Sequence, residues 1–423
     1  MTTTERISTP QLDGLGLAAG GESIEVRQIR SDAARFAEKV MRPIGIFVDR
    51  LSAADAAAAD SPLYGYLDEV KKVGFLDVAS LASLKPEEQQ AILPALNEEL
   101  GSGDVGLALL GFVAGFTSLT ALGTGDPELI DQFADSRGCW IGSQPDRGSD
   151  VLDPEGMLTH LNGRVATGNL TAKKEGSDFV ITGQSSAWIS VSPIANAGVL
   201  HIPCDFGDGF YASDGSLNQA AFLVSFDERG VSKGKPLEKL GQRPLPQGEV
   251  FFDSVRLPTR NMVADRGHAS VTLHTTVLLA NLQMGMLFTG VARAAFQLAL
   301  EYVHERRQGG APLIEHQLIR ARIFAMWLKL EAARALTSRV AAYHHGDLGP
   351  HGLAGLTGKI SATQAAFDIA RESVMLFGAN GLAREYPIEK ICRDAQTALI
   401  QDGENNLLGL LGGTWISRSY REK

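Results

Sequence analysis

The stretch SVMLFGANGLAREYPIEKICRDAQTALIQDGENNLL, residues 373–408, joins two helical patterns and ends in a loop that carries a carboxylate. Two glycines at 377–381 let the backbone turn and approach a ligand closely. Pro387 suits the first turn of the second helix, where no amide donor is lost. One face of that helix is apolar at helical spacing, through Ile388, Ile391, Ala395 and Ala398. An acid followed by glycine at a helix C-terminus does not help the helix fold, which indicates a chemical role for Asp402.

Periodicity divides the rest of the chain into three parts. The first part is helical: Phe36, Val40, Ile44 and Phe47 lie three or four residues apart, and Pro86 with two acids opens a further helix. Short β-rich runs follow, separated by Asp, Gly, Ser and Pro, at residues 179–183, 197–202, 220–226 and 250–252. Helical seams typical of a bundle then occupy residues 319–340 and 360–377.

These patterns predict an extension at residues 1–24, a helical domain at 25–136, a β domain at 137–260 and a helical bundle domain at 261–423. A chain of 423 residues is long enough for two or three domains. The fold class predicted is α+β.

Composition excludes several classes of protein. The 44% hydrophobic and 21% charged residues are ordinary for a soluble globular protein, and the net charge of −10 argues against a nucleic-acid partner. Residues 1–24 lack signal and transit patterns, so a cytoplasmic location is predicted. The uncharged runs at 105–122 and 275–292 contain glycines or amides, which favours buried helices and no membrane span. The histidines, including His344 and His345, have no companions at metal-ligand spacing and are interpreted as surface or cap residues.

In order and spacing these features resemble the acyl-CoA dehydrogenase superfamily. The resemblance rests on the glycine turn, Glu385-Tyr386-Pro387, Arg393-Asp394-Ala395 and Asp402-Gly403. It implies an N-terminal helical domain, a middle β-sheet or barrel domain, a C-terminal four-helix bundle and FAD as cofactor. The family residue that abstracts the substrate α-proton corresponds to Asp402, so the usual glutamate is one methylene shorter here.

Two flavin contacts in the β domain are implied by the resemblance. In CWIGSQPDRGSD, residues 139–150, Trp140 stands beside the ring, Ser143 bonds its edge, and Ser149 lies near the flavin and the substrate tail. In the second segment, alternation along a strand puts Trp188 and Ser190 on one face. Without the resemblance, the first segment could as well be an ordinary loop between two elements. A lone tryptophan on a strand is more often a core residue than a flavin contact.

The resemblance implies further cofactor contacts in the helical bundle. Residues 305–317 resemble the family segment that reaches across a subunit interface to the diphosphate and adenosine of the neighbour's FAD. Arg306 suits that role because guanidinium binds phosphate bidentately, although a solvated helix end would look the same. The remaining positions that correspond to family cofactor contacts are Gln308, Gln317, Met375, Gly378, Glu404 and Asn406.

Substrate contacts are implied at Ser149, Asn281 and Gly403. Some family members carry the acid on an earlier helix, where this chain has Ala280, so Asp402 has no obvious rival. Asn281 stands where an arginine often meets CoA.

The resemblance implies FAD-dependent α,β-desaturation of an acyl-CoA thioester in fatty-acid or aromatic catabolism, by a homodimer or homotetramer that passes electrons to an electron-transfer flavoprotein or a similar acceptor. Asp402 would remove the α-proton, and its backbone amide would stabilise the enolate. The shorter acid withdraws the base by about 1.5 Å, a misplacement that can cost roughly a hundredfold in rate, so a branched, cyclic or aryl acyl group is predicted. Two alternatives remain open: a flavin oxidase or monooxygenase acting for example on a nitroalkane, and a catalytically weak partner subunit.

Overall fold

The computed structural model describes residues 22–153, 165–346 and 351–421. Of the predicted extension, residues 1–21 lie outside the described residues. The first part of the described chain is helical, as predicted, and a π-helical turn at Ala37–Met41 joins its first two helices. These helices are α1 (Ile24–Phe36), α2 (Arg42–Val48), α3 (Ala53–Ala56), α4 (Pro62–Val73), α5 (Val78–Ala82), α6 (Pro86–Gly103), α7 (Val105–Ala114), α8 (Phe116–Thr124) and α9 (Pro127–Phe133).

The π turn changes which residues of the first long helix are buried. Phe47 belongs to the spacing that predicts this helix, yet its side chain is 56% exposed, whereas Met41 and Val48 are fully buried. A π turn takes up one residue more than an α turn. The buried face therefore passes from Phe36 to Met41 and Val48, one position beyond the predicted series.

A mixed sheet forms the middle of the chain. Its strands are β1 (Trp140–Ile141), β2 (Thr171–Glu175), β3 (Asp178–Gln184), β5 (Ala197–Asp205), β6 (Gln219–Ser225), β7 (Val231–Lys233), β9 (Val250–Pro258) and β10 (Met262–Ala264), in the order β10-β6-β5-β2-β3-β9-β7, with β1 parallel to β5. Two short strands, β4 (Ile189–Ser190) and β8 (Gln247–Gly248), form a separate antiparallel pair. Because β10 pairs with β6, the sheet continues to Ala264, beyond the predicted boundary at residue 260.

Helices return in the last part of the chain. They are α10 (Ala269–Glu305), α11 (Gln317–His344), α12 (Gly352–Phe377), α13 (Ile388–Ala398) and α14 (Asn405–Arg421), with a small hairpin of β11 (Arg307–Gln308) and β12 (Ala311–Pro312) after α10. The seam predicted on α11 is buried from Met326 to Val340. This architecture confirms the predicted fold of a helical domain, a β domain and a helical bundle.

Helices α6 and α10 cross at unusually short range. A Cβ atom added at Gly101 would lie 2.0 Å from the carbonyl oxygen of Leu287, and one added at Gly290 would lie 2.0 Å from that of Glu98. Only glycine permits this approach. The crossing fixes the N-terminal half of α10 against the helical domain, and that half supplies part of the cavity described below.

The Arg393-Asp394 pair joins the three domains. Arg393 forms an ion pair with Asp49 of the helical domain at 2.7 Å, and Asp394 accepts the backbone N–H of Gln242 from the β domain. Lys390 lies between the carboxylates of Asp394 and Asp104, at 2.6 and 2.7 Å. Because these residues belong to α13, the network fixes the helix that leads to Asp402.

Two stretches, Val105–Thr124 and Ala269–Glu305, are long and apolar enough to cross a membrane by length and composition. Their most apolar windows are 61% and 72% buried inside the protein. Core helices of a folded domain show the same combination of length, composition and burial.

Candidate active site

A cavity of about 1470 Å³ lies between the helical domain, the β domain and the helical bundle. Its walls come from α7 and α8, from the β-domain loops around residues 140–149, 184–190 and 239–249, from residues 276–286 of α10, and from the loop after α13. Ligand pockets usually measure about 300–1,000 Å³. This cavity therefore has room for more than one small ligand, or for a cofactor ring together with a substrate.

The cavity brings together the residues predicted to meet the flavin ring and the substrate. Those that line it are Asp402, Gly403, Trp140, Ser143, Ser149, Trp188 and Ser190. Ala280 also lines it but carries no ionisable group. Residues more than 250 positions apart in the chain thus share one cavity.

Asp402 sits in a strained turn. Its φ angle is +52°, in the left-handed region, and Gly403 follows at +99°. Aspartate tolerates this conformation better than most residues because its short polar side chain can bond locally. A Cβ atom at Gly403 would lie 2.6 Å from Leu408 and 2.8 Å from Leu152. The turn is therefore closely packed against these two leucines.

Three elements hold this turn at three consecutive residues. The amide of Asn281 on α10 donates to the carbonyl oxygen of Asp402 at 3.2 Å. The ammonium of Lys359 on α12 donates to the carbonyl oxygen of Gly403 at 2.6 Å. The hydroxyl of Ser149, from the β domain, accepts the backbone N–H of Glu404 at 3.3 Å. These bonds leave the carboxylate of Asp402 free to face the cavity.

The electrostatics of Asp402 suit a base. Burial raises the pKa of its carboxyl above the usual value, and the positive charge of Lys359 opposes that rise. Such a shift moves a carboxylate toward the range where it accepts a proton efficiently. Within the described part of the chain, the backbone N–H of Asp402 has no hydrogen-bond acceptor. It is therefore available to a ligand oxygen.

Trp188 and Ser190 are fixed by a side chain that the sequence did not single out. The Nε2 atom of Gln247 donates to the carbonyl oxygen of Trp188 at 3.1 Å and to the hydroxyl of Ser190 at 3.2 Å. Its Oε1 atom accepts from the ammonium of Lys239 at 2.6 Å. Lysine only donates and a carbonyl only accepts, so the orientation of this amide is determined. Ser190 accepts here, which leaves its own O–H to donate into the cavity.

Trp140 and Ser143 are likewise positioned by neighbours. The indole N–H of Trp140 donates to Nδ1 of His201 at 2.8 Å. Burial lowers the pKa of His201 to about 4, so its ring is neutral and can accept this bond. The hydroxyls of Ser143 and Ser186 lie 2.8 Å apart. Both predicted residues thus present fixed polar atoms and ring edges to the cavity.

Three predicted contacts are corrected by the structure. Asn281 is fully buried and its amide bonds to the carbonyl oxygens of Val277 and Asp402, so it positions the acid and does not meet substrate. Glu404 accepts the backbone N–H groups of Asn406 and Leu407 and caps α14. Asn406 donates to the same carboxylate. Both residues therefore cap the N-terminus of α14, where the unpaired amides favour a carboxylate, and neither lines the cavity.

The other predicted cofactor residues lie at the opposite end of the bundle. Arg306, Gln308, Gln317, Met375 and Gly378 are all exposed, and none of them lines the cavity. Arg306 follows the end of α10, 25 residues beyond Ala280, which corresponds to roughly 38 Å along the helix. These five residues therefore do not contribute to the cavity of their own chain.

The far end of the cavity is lined by His344, the last residue of α11, which is buried and not on the surface as predicted. His345 forms the C-cap of the helix, as expected for a cap residue. Among the described residues no cluster of three His, Cys, Asp or Glu side chains could hold a metal ion.

Comparison with known proteins identifies the family. The acyl-CoA dehydrogenase C-terminal domain family matches residues 274–415. The chain is 28% identical over 331 residues to cyclohexane-1-carbonyl-CoA dehydrogenase of Geobacter metallireducens, which covers 77% of this chain and 81% of that one. These matches support membership of the acyl-CoA dehydrogenase superfamily. This confirms the family, the enzyme class of oxidoreductase and FAD as the cofactor predicted from the sequence.

Other members of the superfamily resemble nearly the whole chain. The mitochondrial short-chain specific acyl-CoA dehydrogenase of Rattus norvegicus is 28% identical over 408 residues, 93% of this chain and 90% of that one. The fold is shared with a glutaryl-CoA dehydrogenase from Mycobacterium smegmatis in complex with FADH2, with a TM-score of 0.75 at 20% identity, over 93% of this chain and 95% of that chain.

The residues of the cavity fit a flavin ring. Trp188 lies in the cavity wall, yet its side chain is 61% exposed, a large apolar face that a flat ring would cover. The free O–H of Ser190 stands two positions further along the chain, in the short strand β4 that follows Trp188. Aromatic faces stack favourably on flat rings, and a hydroxyl donor suits a ring nitrogen. Trp188, Ser190, Trp140 and Ser143 are therefore the residues that would hold the flavin.

Removal of the Trp188 ring is expected to weaken FAD binding. Trp188→Ala loses a stacked aromatic surface worth about 1.4 kcal/mol, so the dissociation constant of FAD should rise roughly tenfold. Trp188→Phe keeps an aromatic face and should bind FAD nearly as tightly as the wild type. Titration of the apoprotein with FAD, followed by flavin fluorescence, measures both. Equal affinities for the alanine variant and the wild type would contradict the placement of the ring at Trp188.

Proposed function

We propose that this protein catalyses the α,β-desaturation of an acyl-CoA thioester, with Asp402 as the base that removes the α-proton. The observation that carries the proposal is the shared cavity: a carboxylate in a fixed turn faces the same space as an exposed tryptophan and a free hydroxyl donor. Family membership supports the reaction type.

Different residues of this chain bind the acyl group, remove the α-proton and stabilise the enolate. The apolar walls from α7 and α10 hold the acyl group and exclude water, which strengthens electrostatic interactions inside the cavity. Asp402 accepts the α-proton on its carboxylate. Its own backbone N–H, which has no acceptor among the described residues, donates to the thioester oxygen and stabilises the enolate as negative charge develops. FAD, when bound, accepts the β-hydride.

The acyl group proposed is branched, cyclic or aryl-bearing. The carboxylate of Asp402 ends about 1.5 Å short of the position that a glutamate would reach, so the α-carbon must lie closer to the turn. The large cavity supports a wide acyl group. Similarity to a cyclohexane-1-carbonyl-CoA dehydrogenase supports the same class of substrate.

We propose a homo-oligomer in which the exposed group around Arg306 serves the cofactor of a neighbouring chain, with an electron-transfer flavoprotein or a similar protein as acceptor. The separation of roughly 38 Å along α10 between Ala280 and the end of the helix supports the arrangement. Arg306 is exposed at the end of α10, and its guanidinium suits a diphosphate. Cytoplasmic location stays a prediction from the sequence.

The function is tested by mixing the FAD-loaded protein anaerobically with a panel of acyl-CoA thioesters and following the flavin absorbance. Cyclic, aryl and branched acyl groups should bleach the flavin, with kcat/KM at least tenfold above that for straight-chain groups of equal carbon number. Absence of bleaching by every thioester would contradict desaturation. Rapid reoxidation by oxygen with stoichiometric peroxide would instead identify an oxidase.

A further inference from the structure

Lys359 is a charged residue that contacts the loop of Asp402, although the mechanism above does not use it. It lies on α12 and is completely buried. Its ammonium donates to the carbonyl oxygen of Gly403 at 2.6 Å and to Oδ1 of Asn405 at 2.7 Å. Both partners belong to the loop that carries Asp402, one on each side of Glu404. A buried lysine is rare unless its charge is paired.

The two hydrogen-bond partners of Lys359 are neutral, so they do not balance its charge. Asn405 is oriented by the same network, because its Nδ2 atom donates to the hydroxyl of Thr363 at 3.1 Å. The acids that act on Lys359 are Asp402 and Glu404. The carboxylate of Glu404 is turned toward the backbone N–H groups of Asn406 and Leu407. Of these two acids, only Asp402 accepts no hydrogen bond from the described residues of its own loop. Asp402 is therefore the acid that balances the charge of Lys359.

Other charged groups near this part of the cavity are engaged elsewhere. On the β-domain side, Arg147 and Asp150 face each other at 3.9 Å. On α10, the residue that touches the turn is Asn281, which is neutral. Burial lowers the pKa of Lys359 to about 8, with Asp402 and Glu404 acting against that decrease. The ammonium is consequently charged at neutral pH.

We propose that Lys359 is a positioning residue for Asp402: its buried ammonium clamps the Asp402–Gly403 turn and supplies the positive charge that keeps the Asp402 carboxylate ionised. The inference rests on the proposed function of Asp402 as the base. It assigns two separable effects to one side chain. The clamp fixes where the carboxylate points, and the charge fixes the lowest pH at which the carboxylate can accept a proton.

Lys359→Met and Asn281→Ala form a matched pair of variants. Each removes a hydrogen bond to the turn, from Gly403 or from Asp402, whereas only Lys359→Met also removes a charge and the bond to Asn405. Both should lower the rate. Loss of the charge should also move the acid limb of the pH–rate profile to higher pH, because an opposite charge nearby favours the ionised carboxylate. For Lys359→Met, the ratio of the rate at pH 6 to that at pH 8 should fall roughly tenfold below the wild-type ratio.

The readout is α-proton exchange in D2O, followed by NMR on an acyl-CoA that has no β-hydrogen, such as 3,3-dimethylbutanoyl-CoA. This thioester cannot be desaturated, so exchange reports the base alone. Infrared difference spectra of the Asp402 carboxyl band over the same pH range give a second readout that does not depend on rate. FAD content and the unfolding midpoint show that each variant is folded.

The expected result is a shifted profile for Lys359→Met, an unshifted but slower profile for Asn281→Ala, and partial return of the wild-type profile in Lys359→Arg. An unshifted profile for Lys359→Met, with a folded protein and active wild type, would overturn the role of Lys359. Absence of exchange in the wild type at every pH would overturn the base role of Asp402 itself.

Discussion

Replacement of Asp402 by asparagine is expected to lower kcat/KM for desaturation by about a hundredfold to ten-thousandfold, the range that a positioned base contributes. Asparagine has the same shape and also tolerates the left-handed conformation found at +52°. The bonds that hold the turn go to backbone atoms of residues 402, 403 and 404, so they remain. The variant therefore loses the proton acceptor and the counter-charge of Lys359, while the hydrogen bonds that hold the turn are kept.

Anaerobic stopped-flow measurement of flavin bleaching gives the rate for Asp402→Asn. The variant should contain as much FAD as the wild type and remain folded. A bleaching rate within a factor of ten of the wild type would contradict the role of Asp402 as base.

Asp402→Glu serves as the companion variant because it moves the base without removing it. The added methylene advances the carboxylate by about 1.5 Å. The ratio of kcat/KM for straight-chain thioesters to kcat/KM for cyclic thioesters should then rise by at least tenfold. An unchanged ratio would mean that the length of this side chain does not select the acyl group.

Replacement of Lys390 by methionine is expected to have the largest effect on stability, a loss of about 3–5 kcal/mol. Lys390 is buried and lies between the carboxylates of Asp104 and Asp394. Without the ammonium, two buried acids face each other with no positive charge between them. Because Asp104 belongs to the helical domain and Asp394 to α13, the contact between two domains is weakened directly.

Urea unfolding followed by circular dichroism measures the effect of Lys390→Met as a decrease of the unfolding midpoint. Lys72→Met is the matched control, since Lys72 pairs with Glu69 on an exposed helix surface, and such pairs contribute little. The control should unfold at the wild-type midpoint. Equal midpoints for the two variants would show that the Lys390 network does not hold the domains together.

Local chemistry explains which parts of the site were predictable from sequence. The break at Gly378 depends on backbone rules that act over a few residues and appears as expected. Trp188 and Ser190 share the cavity, although Trp188 lies in the turn before β4 and not on the strand as predicted. The acid at the end of α13 was predictable for the same reason, because the helix pattern before it ends at Ala398.

The contacts of individual polar side chains were not predictable, because they depend on which helix packs against which loop. The resemblance implies a substrate contact at Asn281, whereas in the fold its amide bonds to the backbone of Asp402. Glu404 was assigned to the cofactor, but the start of α14 one residue later makes it a helix cap.

Lys359 and Gln247 were missed, although one of them left a signal in the sequence. Lys359 is a lone charge on an otherwise apolar helix face, between Leu356 and Ala362, where a surface lysine is not expected. Gln247 left no comparable signal, since its role arises from the pairing of β8 with β4. The π turn at Ala37–Met41 likewise has no marker that spacing alone reveals.

The most direct test of the account is the rate at which wild type and Asp402→Asn exchange the α-protons of 3,3-dimethylbutanoyl-CoA for deuterium in D2O, measured by NMR. We expect ready exchange by the wild-type protein and a rate at least a hundredfold lower for Asp402→Asn. Exchange by the variant at the wild-type rate would show that another group removes the proton, and the assignment of Asp402 would be wrong.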